Sequence, residues 1–359
     1  MTSRERVLNA LNGKQVDRTP VSLGFGVRPP VKKELMRLMG FDSVGQTDEY
    51  LQSFSDLRWV GPKYVGPPSR NFTDENGIYT DVWGVKRAEV NYRADDVYWE
   101  ICEYPLAKIE NARELHDYEF PSAGWFDYAS LTEQIESHGN KYAIVMGNGN
   151  IFETAWYMRG LDTMLMDLIS DQELAAAFLT KVTDFYIEYF SRALSVANRS
   201  GENPIDIVFT ADDVGTQEGL MLSLDLWEKM IKPHHKRLNG VLHGYGAKVM
   251  YHSDGAVSEA LEGLIDMGID VLEALQFEAK GMSPEYMKNN FGDRLCFHGG
   301  VSVQSTFPFG SPDDVSNEVA ERIRVLGKNG GYIIAPSHAV QAGTPAENLV
   351  AFLNSAAGL

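Results

Sequence analysis

The stretch GAKVMYHSDGAVSEALEGLIDMGIDVLEALQ, Gly246 to Gln276, holds one whole structural unit. It is apolar and β-rich as far as Tyr251, carries apolar residues at helical spacing through AVSEALEGLI, and turns apolar again in GIDVLEALQ. A strand, a helix and a second strand in that order imply parallel pairing. The theme recurs along the chain in RTPVSLGF, KYAIVMGN, PIDIVFTADD, RLCFHGG and GGYIIAPSH. Helical patterns such as LAAAFLTKVTDFYIEYFSRALSVAN and DVSNEVAERIRVLGKNG lie between them. With a weaker run at FSDLRWV the units number about eight, the count that closes a (β/α)8 TIM barrel. A doubly wound open sheet would need a Gly-rich phosphate loop after its first strand, and GNGN at 147–150 lacks the GxGxxG spacing.

The chain carries no low-complexity linker and no solenoid period, so a single barrel domain over 1–359 is expected. The segment 66–121 interrupts the rhythm. There GIYTDVWGVKRAEV and VYWEICEYPL, joined by NYRADD, predict an inserted antiparallel hairpin. Its Trp83, Tyr98, Trp99 and Tyr104 are expected to form a satellite core holding the insertion down.

A chain of 359 residues with 44% hydrophobic and 23% charged residues can bury a large core. No apolar run approaches the roughly 18 residues of a membrane span. The opening MTSRERVLNALNG has an amphipathic helical pattern rather than an apolar signal core, so a cytoplasmic location is expected. Cys102 and Cys296 lie far apart with no CxxC spacing, which disfavours a thiolate metal site or a disulfide. The formal charge of −18 would repel nucleic acid and anionic membrane, so neither is expected as a partner.

Barrel chemistry gathers at the C-terminal ends of the strands. There the runs end in Asp212 and Asp213, in His252 and Asp254, and in Glu273, His298 and His338. A spacing of two in extended backbone sets His252 and Asp254 on one side, where both could serve one atom. The competing reading is structural: Asp254 caps the next helix while His252 closes the strand end. One of Asp212 and Asp213 could likewise cap the helix after VGTQEGLML, leaving the other to face the mouth. His298, before Gly299-Gly300, marks a close backbone approach, and His338 suits either a metal ligand or a hydrogen-bond donor. His234 and His235, in KPHHKRL, are expected on a helix surface.

Several of these stretches carry a resemblance. SRERVLNALNGKQVDRTPV, DDVGTQ, HSDGA and the closing GGYIIAPSHAVQAGTPAENLVAF resemble, in the same order, landmarks of the uroporphyrinogen decarboxylase superfamily. FSDLRWVGPKYVGP, DVWGVKR and FHGGVSVQ are closer to its corrinoid-linked methyltransferase branch. That resemblance implies a demethylating enzyme that takes a methyl group from a small methylated substrate, an aryl methyl ether foremost, and passes it to the Co(I) of a separate corrinoid protein. The relatives also imply a homodimer. They bind zinc through His-x-Cys and a later Cys, where this chain has His252-Ser253-Asp254 and His338. The implied metal set is therefore His252, Asp254 and His338, a harder one, with Glu273 as a fourth ligand or substrate contact. Without metal, Asp254 and His338 would act as acid and orienting base. Asp213 joins the catalytic group, and Asp212, Gln217, His298 and Arg28 are expected on the substrate. The alternative is a cofactor-free decarboxylase of a small acid. Arg28 is the one cation in VSLGFGVRPP, where true decarboxylases grip several carboxylates with arginines, and this argues against a tetrapyrrole.

Overall fold

The computed structural model describes residues 1–93, 96–198 and 203–359. Seven parallel strands follow the order β1 (Leu57–Val60), β8 (Ala143–Asn150), β9 (Ile207–Ala211), β10 (Lys248–His252), β11 (Val271–Glu273), β12 (Cys296–Val301) and β13 (Tyr332–Pro336). Most of their positions are buried on both faces, which is why the sequence shows them as apolar runs; Trp59 of β1 and Asn148 of β8 are the exposed exceptions. IVFTA, CFHGGV and YIIAP are buried at every position.

The eighth position is filled differently from expectation. RTPVSLGF forms no ladder. The segment is pinned by single bridges, Val21 to Ile334 and Val27 to Val340. Pro20 brings no N–H, and Gly24 (φ +55°) and Gly26 (φ +85°) turn the backbone out of extended geometry. Against β1 the segment is fastened at its lower end by buried Asp56. The Asp56 N–H donates to the Val21 carbonyl and its carboxylate accepts from the Val21 N–H, both at 2.8 Å. Arg6 and Arg18 neutralise that carboxylate, each at 2.8 Å. Above this point the seam between residues 22–27 and β1 stays open.

Inside the barrel Leu57, Ala143, Val145, Ile207, Phe209, Met250, Val271 and Ile333 pack as one apolar cluster with Val7, Ala10 and Leu11 of the helix Ser3–Leu11. A capping box from Thr2 and Glu5 starts that helix. Arg4 joins it to Asp206, one residue before β9, so it plugs the N-terminal end of the barrel. Among the described residues, the opposite mouth is left without such a plug.

Between β1 and β8 the insertion contains a pair, β2 (Lys63–Tyr64) with β7 (Phe126–Asp127), and a four-stranded antiparallel sheet. That sheet is β3 (Phe72–Thr73), β4 (Tyr79–Thr80), β5 (Lys86–Arg93) and β6 (Asp96–Glu103). The hairpin expected from NYRADD is β5–β6; residues 94 and 95 of that connection lie outside the described residues. GIYTDVWGVKRAEV divides in two because Asp81 accepts from the N–H groups of Trp83 and Val85 and turns the chain between β4 and β5. The satellite-core expectation holds for Trp83, which packs on Phe185 and Tyr186 of the long helix Gln172–Ala197 at 4.8 and 5.7 Å. It fails for Trp99 and Tyr104, 41% and 37% exposed. Tyr98 bonds Gln341 and lies 4.1 Å beneath the Arg28 guanidinium. Among the described residues no helix is long and apolar enough to cross a membrane.

Candidate metal centre and pocket at the barrel mouth

His252 ends β10 and stands in register with Glu273, which ends β11. Glu273 takes His252 Nδ1 at 2.5 Å, leaving Nε2 aimed at the mouth. Gly255, at φ +83°, carries the chain on; a Cβ there would meet the Thr216 carbonyl at 2.6 Å. Asp254 and His338 reach in from the loops after β10 and β13. His252 Nε2 lies 4.0 Å from Asp254 Oδ1, and His338 Nε2 lies 3.9 Å from Asp254 Oδ2. One donor atom from each of the three residues falls within 4.8 Å of the others. Asp254 Oδ1 is buried with no hydrogen-bond partner, which is the condition of a group awaiting a ligand. Its N–H donates to Asp213 at 2.8 Å and its carboxylate caps nothing, so the capping half of the structural reading does not hold, while His252 does close the strand end through Glu273.

The charges are strongly coupled. Burial opposes a cation on His252, yet Glu273, Asp254 and Asp213 raise its pKa, while His252 holds Glu273 low against the cost of burial. Burial, with Asp213 and Glu273, lifts Asp254 to about 7 although His252 opposes it. Burial and then the His252 charge lower His338.

Several sequence-predicted residues do other work. Glu273 stands behind His252 at 1% exposure and orients it. Asp212 is fully buried. Its carboxylate accepts from the N–H groups of Phe152 and Glu153, both at 2.8 Å, and bonds His235 Nε2 at 2.5 Å. It therefore caps the helix Phe152–Arg159, whereas Ser223 caps the one after VGTQEGLML. His235, expected at the surface, is fully buried because it answers Asp212. His234 is half-buried against Thr183 Oγ1 at 3.1 Å. Arg28 grips Asp96 at 2.8 Å and the Val97 carbonyl at 2.7 Å, clamping the insertion rather than a substrate. Gln217 is exposed on its loop, its carbonyl accepting from Lys280 N–H. His298 is buried, with Nδ1 3.7 Å from Glu273 Oε1.

Beside the three donors a cavity of about 620 Å³ occupies the open seam. Phe25, Trp59 and Phe209 form its aromatic wall. The Phe25 ring lies 4.7 Å from the His252 ring and 4.8 Å from that of His338, so a single ring separates cavity from donors. Gly147 preserves the space: a Cβ there would meet the Trp59 ring at 2.9 Å. Arg58 also lines the cavity, but its two terminal nitrogens are held by the carbonyls of Gln52, Ser55 and Leu57.

Sequence reading missed Glu153. This residue is buried and accepts from Asn150 Nδ2 at 2.6 Å and from the Tyr157 hydroxyl at 2.8 Å. The strand-end logic applied to KYAIVMGN and carried five residues past it would have reached this carboxyl.

Over its whole length the chain is similar to a solved methyltransferase from Methanosarcina mazei, with a TM-score of 0.71, 19% identity, and coverage of 99% of this chain and 98% of the other. That likeness shows the barrel fold. A methylated-thiol–coenzyme M methyltransferase of Methanosarcina mazei is 25% identical over 204 residues, 57% of this chain and 50% of the relative, so the match spans about half of that protein. The family model described as uroporphyrinogen decarboxylase (URO-D) matches residues 89–359, and the chain belongs to that family.

Proposed function

We propose that this protein is a methyltransferase that demethylates a small donor, an aryl methyl ether, and delivers the methyl group to the Co(I) of a separate corrinoid protein. The observation that carries the reading is the juxtaposition of a nitrogen and oxygen donor trio with an aromatic-walled cavity, one ring apart in the barrel mouth. The names of the two methyltransferase relatives support the reaction class.

The trio fits zinc. Donor atoms of a tetrahedral zinc stand about 3.4 Å apart; the two separations from Asp254, 3.9 and 4.0 Å, need only a small contraction, while the three donors together span up to 4.8 Å, which turning the His338 side chain inward would close. His252, Asp254 and His338 would hold the ion, and the Glu273–His252 bond is the outer support that metal-binding imidazoles use. When bound, such an ion supplies Lewis acidity toward the ether oxygen. Phe25, Trp59 and Phe209 receive the donor ring edge-on or offset and keep water from it. The acidic rim, with Asp213 39% exposed, repels a carboxylated substrate and favours a neutral one.

The test incubates the protein with chemically reduced cobalamin and methoxybenzenes and follows the cobalt absorption. Methylcobalamin and the matching phenol are expected. Transfer from thioethers or amines but from no ether would overturn the donor class. Absence of transfer from every donor, with carbon dioxide released from a small acid, would overturn the reaction.

Zinc affinity should depend on pH with a definite sign. Protons on His252, whose pKa is raised, and on Asp254, at about 7, compete with the metal. Affinity is therefore expected to fall by about tenfold or more from pH 8 to pH 6, with protons released on binding. Chelator competition in weakly buffered solution reads both effects.

A further inference from the structure

The cavity and the three donors meet at one residue. Phe25 lines the cavity, and its ring packs edge-on to the His252 ring at 4.7 Å and tilted against the His338 ring at 4.8 Å. Ring centroids that close are in van der Waals contact, so no ether oxygen fits between Phe25 and either imidazole. We propose that Phe25 is a swinging partition: closed in this structure, it opens by turning its own side chain toward solvent and so lets an aryl ether in the cavity reach His252, Asp254 and His338. The inference rests on the methyl-transfer reading above, and it makes Phe25 the residue that decides which donors meet the trio.

The backbone beneath the ring is fixed. Leu23 to Gly26 form a four-residue turn, closed by the Gly26 N–H on the Leu23 carbonyl at 2.8 Å. Gly24, at φ +55°, takes the first central position, where a turn of this hand requires positive φ, and Phe25 takes the second. Both feet of the turn are tied to β13 and the loop after it. The Ser22 N–H donates to the Ile334 carbonyl and the Val340 N–H to the Gly26 carbonyl, each at 2.9 Å. Gly24 lies so close to the chain leading into His338 that a Cβ there would stand 3.2 Å from the Pro336 carbonyl.

The ring, in contrast, is held on one side only. Besides the two imidazoles it touches Phe209, edge to face at 5.7 Å, and Phe25 is 42% exposed. On the β1 side the segment is joined to the barrel only below the turn, through Val21 and Asp56. Turning the side chain outward therefore gives up ring contacts and no hydrogen bond, a change that exposed side chains make in picoseconds to nanoseconds. An aryl ring in the cavity offers Phe209 a replacement contact, so the donor itself favours the open state. Without a donor the open state is the minor one, and a reaction that needs it is slowed by its fractional population.

The test uses the metal-free protein and two alkylating probes for His338, whose side chain is 36% exposed. Phenacyl bromide carries an aryl ring and follows the cavity, whereas iodoacetamide has none and enters from the mouth. Each transfers its alkyl group to an imidazole nitrogen with loss of halide, and peptide mass spectrometry reads the rate at His338. Phe25→Ala should speed phenacyl labelling by about tenfold or more, the reciprocal of a minor open fraction, and iodoacetamide labelling by less than about threefold. Phe25→Leu keeps an apolar side chain on the turn and should give an intermediate factor, which decides the matter should the Ala variant loosen the fold. Excess methoxybenzene should slow phenacyl labelling and leave iodoacetamide labelling unchanged. Protection by methoxybenzene, with phenacyl labelling accelerated no more than iodoacetamide labelling in both variants, overturns the partition and leaves the methyl-transfer reading standing. No protection by methoxybenzene in any of the three proteins means that the cavity takes no aryl ether, and overturns the donor class of that reading and this inference with it.

Discussion

Replacing His252 with Ala is expected to abolish zinc binding and to lower methyl transfer by about 10²–10³-fold, the scale for deleting one electrostatic stabiliser of a transition state. Metal content by mass spectrometry and the rate of methylcobalamin formation check the two halves. A third effect separates chemistry from folding. Glu273 is 1% exposed and answers the His252 cation, so the variant leaves a buried carboxylate without its partner. Breaking a buried pair from one side costs about 3–5 kcal/mol. The sign with pH follows from Glu273, whose folded pKa is lowered. Its stabilising contribution is present above the unfolded carboxylate pKa and lost as pH falls through the lower folded value. In His252→Ala that contribution is gone, and the variant's stability deficit should shrink as the pH drops into the acid range. Adding Glu273→Gln should restore much of the stability at pH 7 without restoring zinc or activity. A double variant as unstable as the single one would mean that His252 supports the fold through contacts other than Glu273.

The parts of this fold legible in the sequence are those where local pattern and tertiary demand agree. Strands buried on both faces show as apolar runs, and all seven hydrogen-bonded barrel strands coincide with runs recognisable from the sequence, β8 and β12 running two residues and one residue past theirs. RTPVSLGF misleads because its apolar residues imitate a strand while Pro20 and two left-handed glycines deny it a ladder. The period-two spacing of His252 and Asp254 was readable because strand geometry is local, and His338 because strand ends share one rim. Asp212 and Asp213 are chemically alike in sequence, and only tertiary structure separates them. Asp212 caps a helix about 60 residues away, and no local pattern encodes a cap delivered across the sheet. Arg28, expected on the substrate, misleads for the same reason, since its partner Asp96 lies 68 residues on. The aromatic wall escaped notice because Phe25, Trp59 and Phe209 come from three separate elements and meet only in the seam.

Asp212 also yields the clearest test of that distinction. Asp212→Ala removes, in one step, the acceptor for two helix N–H groups and the partner of a fully buried imidazole. His235 Nδ1 already lacks a hydrogen bond, so the whole ring would be left without polar contact. The expected loss is about 3–5 kcal/mol, read as a fall in Tm of about 4–7 °C. Asp212→Asn keeps one oxygen for the helix and should cost less than half of that. Donor KM of the protein that remains folded should change little in Asp212→Asn, because this carboxylate has no exposure to the mouth. An unchanged Tm with a raised donor KM would be the signature of substrate contact and would return Asp212 to the role its sequence position suggests. The physical reason to expect the opposite is saturation: three donors already converge on one buried carboxylate, and little of its lone-pair capacity is left for a ligand.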